Sequence, residues 1–201
     1  MEQDISRRGK YIVFEGGEHT GKSTQVEILA KRLGGVATRE PGGTRVGGHI
    51  RALLLDPKVS TEPKTEIFLF AADRAQHIIE VVQPTLESGV SVVSDRSWIS
   101  SAAYQARDEI TLDFVRSVNE LAIGDYMQAD LVILLDGDPQ ELVHRRTGAP
   151  DYFEQKDREF HNRVRENFLT VSREVGAHVI DAMQDREEVS RIVWDLAQEI
   201  A

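Results

Sequence analysis

The stretch Gly16-Gly17-Glu18-His19-Thr20-Gly21-Lys22-Ser23 satisfies the spacing GxxxxGK[ST], and it stands between an apolar run at residues 11–14 and a helical pattern at 22–33. Glycines let the backbone turn so tightly that successive N–H groups point at one spot, and the helix that follows adds the positive end of its dipole. Such a loop takes phosphate: Lys22 reaches the β and γ oxygens, Ser23 offers a hydroxyl to Mg²⁺, and Thr24 extends the same first helical turn. By itself the octapeptide is also compatible with a glycine turn and a chance Lys-Ser. The strand before it and the helix after it are the context the motif requires.

Short, nearly continuous apolar runs recur at 90–93 and 131–135, with weaker ones at 36–38 and 178–180. Helical patterns separate them at 22–33, 47–55, 66–87, 111–123, 140–146, 157–175 and 186–200. This alternation predicts an α/β fold in three layers, a five-stranded parallel sheet covered by helices on both faces. Ligands of such a sheet sit beyond the carboxyl ends of its strands, so the segments after Phe14, Thr38, Val93 and Leu135 should line one crevice. Residues 147–155, with Gly148 and Pro150 among polar neighbours, read as a mobile flap, a lid over about 145–156. Residues 1–9 read as a frayed tail and 10–201 as a single domain.

Composition narrows the function. With 24 Lys plus Arg against 34 Asp plus Glu, the net charge of −10 repels nucleic acid and anionic membranes, so any phosphate site must be a local basic pocket. There is no Cys, which excludes disulfides, thiolate metal sites and a Cys nucleophile. No apolar run approaches the roughly 18 residues of a membrane helix, and Arg7, Arg8 and Lys10 are not followed by the apolar core of a signal peptide. A cytoplasmic address is expected. Asp95, the acid that ends the run at 90–93, reads as a second outer-shell group for Mg²⁺ or as a helix cap. The guanine-reading NKxD sequence is absent, as is a DxxG switch after that strand, and this argues against a GTPase.

Three further stretches concern a second substrate: Thr38-Arg39-Glu40-Pro41-Gly42-Gly43-Thr44, Phe70-Ala71-Ala72-Asp73-Arg74, and Asp95-Arg96 followed by Ser100-Ser101-Ala102-Ala103-Tyr104-Gln105. Phe70 and Arg74 fall one helical turn apart, so one face offers a ring to stack on a base and a guanidinium to donate to a carbonyl. The plainer readings are core packing for Phe70 and a surface ion pair with Asp73 or Glu80 for Arg74. Arg39, Arg51 and Arg96 supply guanidinium forks that match phosphate oxygens. Ser101 and Gln105, also one turn apart, can offer hydrogen bonds from one helical face. Glu18 is electrostatically awkward inside a loop that attracts anions, unless it is a solvated turn acid.

In order and spacing these stretches and the phosphate loop resemble bacterial-type thymidylate kinases, P-loop nucleoside monophosphate kinases, along nearly the whole chain. The resemblance implies transfer of the γ-phosphoryl group of ATP to dTMP, giving dTDP and ADP for dTTP biosynthesis, with Mg²⁺ as cofactor. It sets Phe70 against thymine, Arg74 toward O4, Arg51 and Arg96 at the acceptor phosphate with Arg39 nearby, and Glu18 at the 3′-hydroxyl with Glu40 in support. Ser100, Ser101, Tyr104 and Gln105 complete the acceptor side, Tyr104 crowding the sugar against a ribose. It implies a homodimer through core helices, with 66–87 and 111–123 as contact faces. The chain departs from the family where an Arg should meet the transferring group: it has His19 in the loop, and Tyr152 where the lid pattern D-R-x-E has its Arg. Arg145 and Arg146 are the substitutes. The competing readings are a kinase for another pyrimidine nucleotide or a deoxynucleoside, and a nucleotide-binding module without turnover.

Overall fold

In the computed structural model, which describes residues 8–107 and 109–200, the apolar runs lie side by side as one parallel sheet. Strands β1 (Tyr11–Glu15), β2 (Val36–Arg39), β3 (Val92–Asp95), β4 (Leu131–Asp136) and β5 (His178–Asp181) take the order β2-β3-β1-β4-β5. Tyr11 pairs with Val92 on one side of β1, and Ile12 with Leu131 on the other. β1 is therefore central, at the point where the connections diverge to opposite edges, and the loop after it opens at the carboxyl end of the sheet.

Alternate strand residues feed two cores, which is why the runs are apolar throughout rather than alternating. Tyr11, Val13, Val92 and Leu134 pack against helices α3 (Pro63–His77), α5 (Trp98–Gln105), α6 (Leu112–Ile123) and α8 (Arg158–Glu174). Ile12, Phe14, Val93 and Ile133 pack against α1 (Lys22–Leu33) and α9 (Arg186–Glu199). Each such side chain contributes roughly 1.5–3 kcal/mol by leaving water. A further helix, Arg45–Leu55, follows β2 and is capped by Thr44, whose hydroxyl accepts from the Gly47 amide at 2.9 Å. No helix among the described residues is long and apolar enough to cross a membrane.

Three expectations are revised. The single helix expected over 66–87 begins earlier, at Pro63, and is interrupted by a π-helical turn at Ile78–Val82 before a short helix at Gln83–Glu87. Pro84 lacks an N–H and crowds the preceding turn, so the ladder shifts ahead of it. The pattern at 140–146 gives only a turn of α-helix, Pro139–Leu142, and a 3₁₀ turn, Val143–Arg145. α5 had no amphipathic pattern because all of its residues are buried. Of the expected tail, residues 1–7 lie outside the described residues, whereas the Gly9 amide is tied to the Leu86 carbonyl at 2.9 Å.

Candidate active site

The loop after β1 is shaped by its glycines. Gly16 has φ +143°, and a Cβ there would sit 2.3 Å from the Leu135 carbonyl oxygen, so no other residue fits. Lys22, buried on the first turn of α1, donates to the Gly17 carbonyl at 2.6 Å and to the Thr20 hydroxyl at 3.2 Å. Burial lowers its pKa, Arg96 lowers it further, and Asp95 and Glu18 only partly offset them, leaving it at about 8. A buried ammonium held by neutral oxygens favours an incoming anion. Beside it the exposed Ser23 hydroxyl donates to Asp95 Oδ2 at 2.5 Å. This pair of hard oxygen donors suits Mg²⁺. No group of three or more His, Cys, Asp or Glu among the described residues can hold a metal by itself, so the ion would share its shell with phosphate and water.

A second cleft opens between α3 and α5. Phe70 is half-buried on its wall and Arg74 lies at its floor, 1% exposed. Arg74 donates to Glu40 Oε2 at 2.6 Å, to the Ser97 carbonyl at 3.0 Å and to the Asn119 amide oxygen. The surface ion pair is therefore excluded, because the partner of Arg74 is Glu40 from across the sheet end. Glu40 Oε1 in turn meets His77 Nδ1 at 2.8 Å, and His77 Nε2 meets the Thr38 hydroxyl at 2.7 Å. Burial raises the Glu40 pKa, but Arg74 and His77 outweigh it and hold the carboxylate below its ordinary value. The α3 residue Asp73 accepts from the Gly42 amide at 2.9 Å, which pins the loop carrying Glu40 to the same helix.

The two clefts meet at Glu18, Glu40, Arg51 and Arg96, which line both. Arg96 has φ +80°, a conformation costing a non-glycine residue roughly 1–3 kcal/mol and concentrated at functional sites. Its amide donates to the Phe14 carbonyl at 2.8 Å, and its guanidinium to the Gly16 carbonyl at 3.0 Å, Ser100 Oγ at 3.0 Å and Glu18 Oε1 at 2.8 Å. The Tyr104 hydroxyl also donates to Glu18 Oε1, at 2.5 Å. Burial pushes the Glu18 carboxyl up, yet Arg96 and Lys22 more than reverse this and bring it to about 2. The awkward acid of the loop is thus not a free turn acid: it is the anion paired with Arg96. Beneath them buried Glu15 accepts from the Ser97 amide at 2.7 Å and Ser100 Oγ at 2.6 Å, fixing the start of α5.

The sequence model for thymidylate kinase matches residues 14–193. Among similar proteins, a thymidylate kinase of Halothermothrix orenii is 42% identical over 198 residues, covering 93% of this chain and 95% of that protein. A thymidylate kinase of Carboxydothermus hydrogenoformans is 40% identical, covering 94% and 95%. The chain belongs to the thymidylate kinase family. In three dimensions it is similar to the crystal structure of thymidylate kinase from Ehrlichia chaffeensis, with a TM-score of 0.78 and 28% identity over 95% of this chain and 99% of that one.

In this member of the thymidylate kinase family, Phe70, Arg74, Arg51, Arg96, Ser100, Ser101, Tyr104 and Gln105 line one cleft, and Thr20 to Thr24 with Arg39, Asp95 and Arg145 line the other. Arg39 is exposed at the end of the edge strand and lines only the latter. Arg51 donates to the Pro41 carbonyl at 3.0 Å. Arg145 donates to the Ala182 carbonyl at 2.9 Å, whereas Arg146 lines a third pocket, beneath the flap beside His19 and Glu154. The flap is seated: Phe153 is buried with its ring centroid 5.5 Å from that of Tyr104, the Tyr152 amide donates to the Leu55 carbonyl at 3.2 Å, and Glu154 lies 3.3 Å from His19 Nε2. The sequence reading passed over Glu15, His77, Asn119 and Phe153. The one signal available was Glu15, an acid ending an otherwise apolar strand.

Proposed function

We propose that this protein transfers the γ-phosphoryl group of ATP to dTMP, yielding ADP and dTDP. Family membership makes it a nucleoside monophosphate kinase, and one observation carries the reading: two clefts, one around a phosphate loop and one with an aromatic wall and a cationic floor, share Glu18 and Arg96 at their junction. Phosphoryl transfer needs two nucleotides end to end, their phosphates meeting where charge can be neutralised and water excluded.

Within this reading the loop amides of residues 16–21 and Lys22 hold the ATP phosphates, Ser23 and Asp95 hold Mg²⁺, and Thr24 lies alongside. Bound Mg²⁺ neutralises charge on the donor phosphate oxygens. Arg96 and Arg51 hold the phosphate of dTMP, with Arg39 nearby; its oxygen is already ionised at neutral pH, so no strong general base is required. Phe70 stacks on thymine, Arg74 and Gln105 meet its edge with Ser101, and Glu18 faces the 3′-hydroxyl beside Tyr104. Arg146 reaches the transferring group from under the flap, with Arg145 on the side of the adenosine. The seated flap supports exclusion of water, since it closes over both clefts.

The same reading includes a cytoplasmic address, where ATP and dTMP are found, and a homodimer. Exposed Phe68 and Ile79 on the 66–87 segment and Leu121 on α6 support the latter, because apolar side chains gathered on neighbouring helices favour a covered face; sedimentation at equilibrium tests it. The activity is tested by coupled ADP release with ATP, Mg²⁺ and each of dTMP, dUMP, UMP, CMP and AMP. dTMP is expected to be the best acceptor; a better UMP or CMP rate would overturn the substrate, and ATP binding without turnover would favour a binding module.

A further inference from the structure

We infer that Glu66 is a positioning residue that sets the hydrogen-bonding polarity of Gln105 and thereby makes the acceptor cleft select a pyrimidine carrying an N3–H; the inference rests on the reading of that cleft as a nucleotide site. Glu66, Phe70 and Arg74 follow one another at single helical turns along α3, so they share the face turned toward α5. Glu66 is fully buried, and both of its oxygens act as acceptors. Oε1 takes the Thr61 hydroxyl at 3.2 Å and Oε2 takes Gln105 Nε2 at 3.1 Å.

Gln105 is also fully buried and lines the cleft with Phe70, Arg74 and Ser101. A primary amide has a donating end and an accepting end. A carboxylate that only accepts must face the NH₂, so the carbonyl is turned away from it. Gln105 Oε1 has no hydrogen-bond partner in the structure. Leaving a buried carbonyl unpaired is unfavourable, and a donor on the ligand relieves it. Next to it Arg74 presents a group that can only donate. An acceptor beside a donor complements the N3–H and O4 of thymine or uracil. Cytosine reverses both positions, with an accepting N3 and a donating 4-amino group, and meets like against like. If Glu66 were lost, the Gln105 amide would be free to flip and the distinction would fade.

The experiment compares kcat/KM for dTMP and dCMP, with calorimetric binding of each nucleotide, in the full chain and its Glu66→Gln, Thr61→Val and Gln105→Met variants. A carboxamide at position 66 can donate as well as accept, so Glu66→Gln is expected to reduce the preference for dTMP over dCMP about tenfold. The loss should appear in the KM for dTMP, with kcat and the KM for ATP retained. Thr61→Val should act in the same direction, about threefold, and Glu66→Gln should leave the preference unchanged when Gln105→Met is already present. A merely structural Glu66 would lower the melting temperature without changing the preference, and that result overturns the inference. Should Glu66→Gln fail to fold, an unchanged preference in Thr61→Val overturns it equally. A wild-type protein that accepts dCMP as well as dTMP defeats the acceptor reading itself, and Glu66 with it; a wild-type preference that survives Glu66→Gln defeats Glu66 alone.

Discussion

The phosphate loop and the cleft between α3 and α5 touch the same guanidinium, Arg96, yet they are made of different material. The loop presents backbone: its shape comes from Gly16 and Gly21, and Gly21, Ser23 and Thr24 are exposed. The cleft presents side chains, and Arg74, Glu40, His77, Gln105 and Asn119 are all buried. They come from α3, α5, α6 and the segment after β2; Arg74, Glu40, His77 and Asn119 bond among themselves, and Gln105 bonds to Glu66 of α3. On the loop side, then, the groups that would meet phosphate are mostly backbone amides, and the buried Lys22 bonds within the loop itself. On the cleft side the residues that would meet the base also join the elements of the core, so binding and stability are coupled.

The largest expected effect separates the two regions most sharply. Lys22→Ala and Arg146→Ala should each lower kcat by about 10³-fold or more, as loss of a group that neutralises the transferring phosphoryl does. Affinity for dTMP should stay within about twofold, and in Arg146→Ala, where the side chain is exposed, unfolding free energy within about 0.5 kcal/mol. An unchanged kcat in Arg146→Ala would move the role to Arg145 or His19. Next in size, Arg74→Met should destabilise the protein by about 3–5 kcal/mol in urea titrations, because the buried Glu40 carboxylate loses its guanidinium and keeps only His77. If that variant instead lost dTMP binding at full stability, the coupling drawn for the cleft would be broken.

The third effect is a pH dependence confined to the loop. Lys22 titrates at about 8 in the free protein, and bound phosphate restores its proton. Binding therefore takes up a proton and weakens as pH rises, by about tenfold between pH 7 and pH 9. Calorimetry with a non-hydrolysable ATP analogue and Mg²⁺ measures this, and dTMP affinity should change much less. Burial disfavours the Arg96 cation, but Tyr104, Glu18 and Asp95 raise its pKa overall, so it stays charged throughout that range. The smallest effect probes the junction: Tyr104→Phe removes the hydroxyl on Glu18 but keeps a ring packed against Phe153, Phe160 and Phe168. About 1 kcal/mol, or a fivefold rise in the KM for dTMP, is expected with little change in melting.

What was legible in the chain follows the same division. The strands, α1, α6, α8 and α9 were readable because their apolar periodicity is a property of neighbouring residues. α5 and the break before Pro84 were not. A helix buried on every side has no amphipathic stripe, and a π turn answers to a clash that only a helix already formed can feel. The loop could be read as a phosphate site from its spacing together with the strand before it and the helix after it, while the partners of Arg74 and Glu18 could not.

The sequence by itself determined the order of strand, loop and helix, the place of Lys22 at the mouth of the sheet, and the alignment of Glu66, Phe70 and Arg74 along one helical face. These depend on steric rules that act over a few residues. Tertiary structure decided that Arg74 lies against Glu40 rather than Asp73 or Glu80, that Glu18 is neutralised by Arg96, and that Glu15 and His77 stand behind them. Those pairings join residues far apart in the chain. A charge taken out of water must find its partner within a few ångströms, and which partner is there depends on how the layers pack.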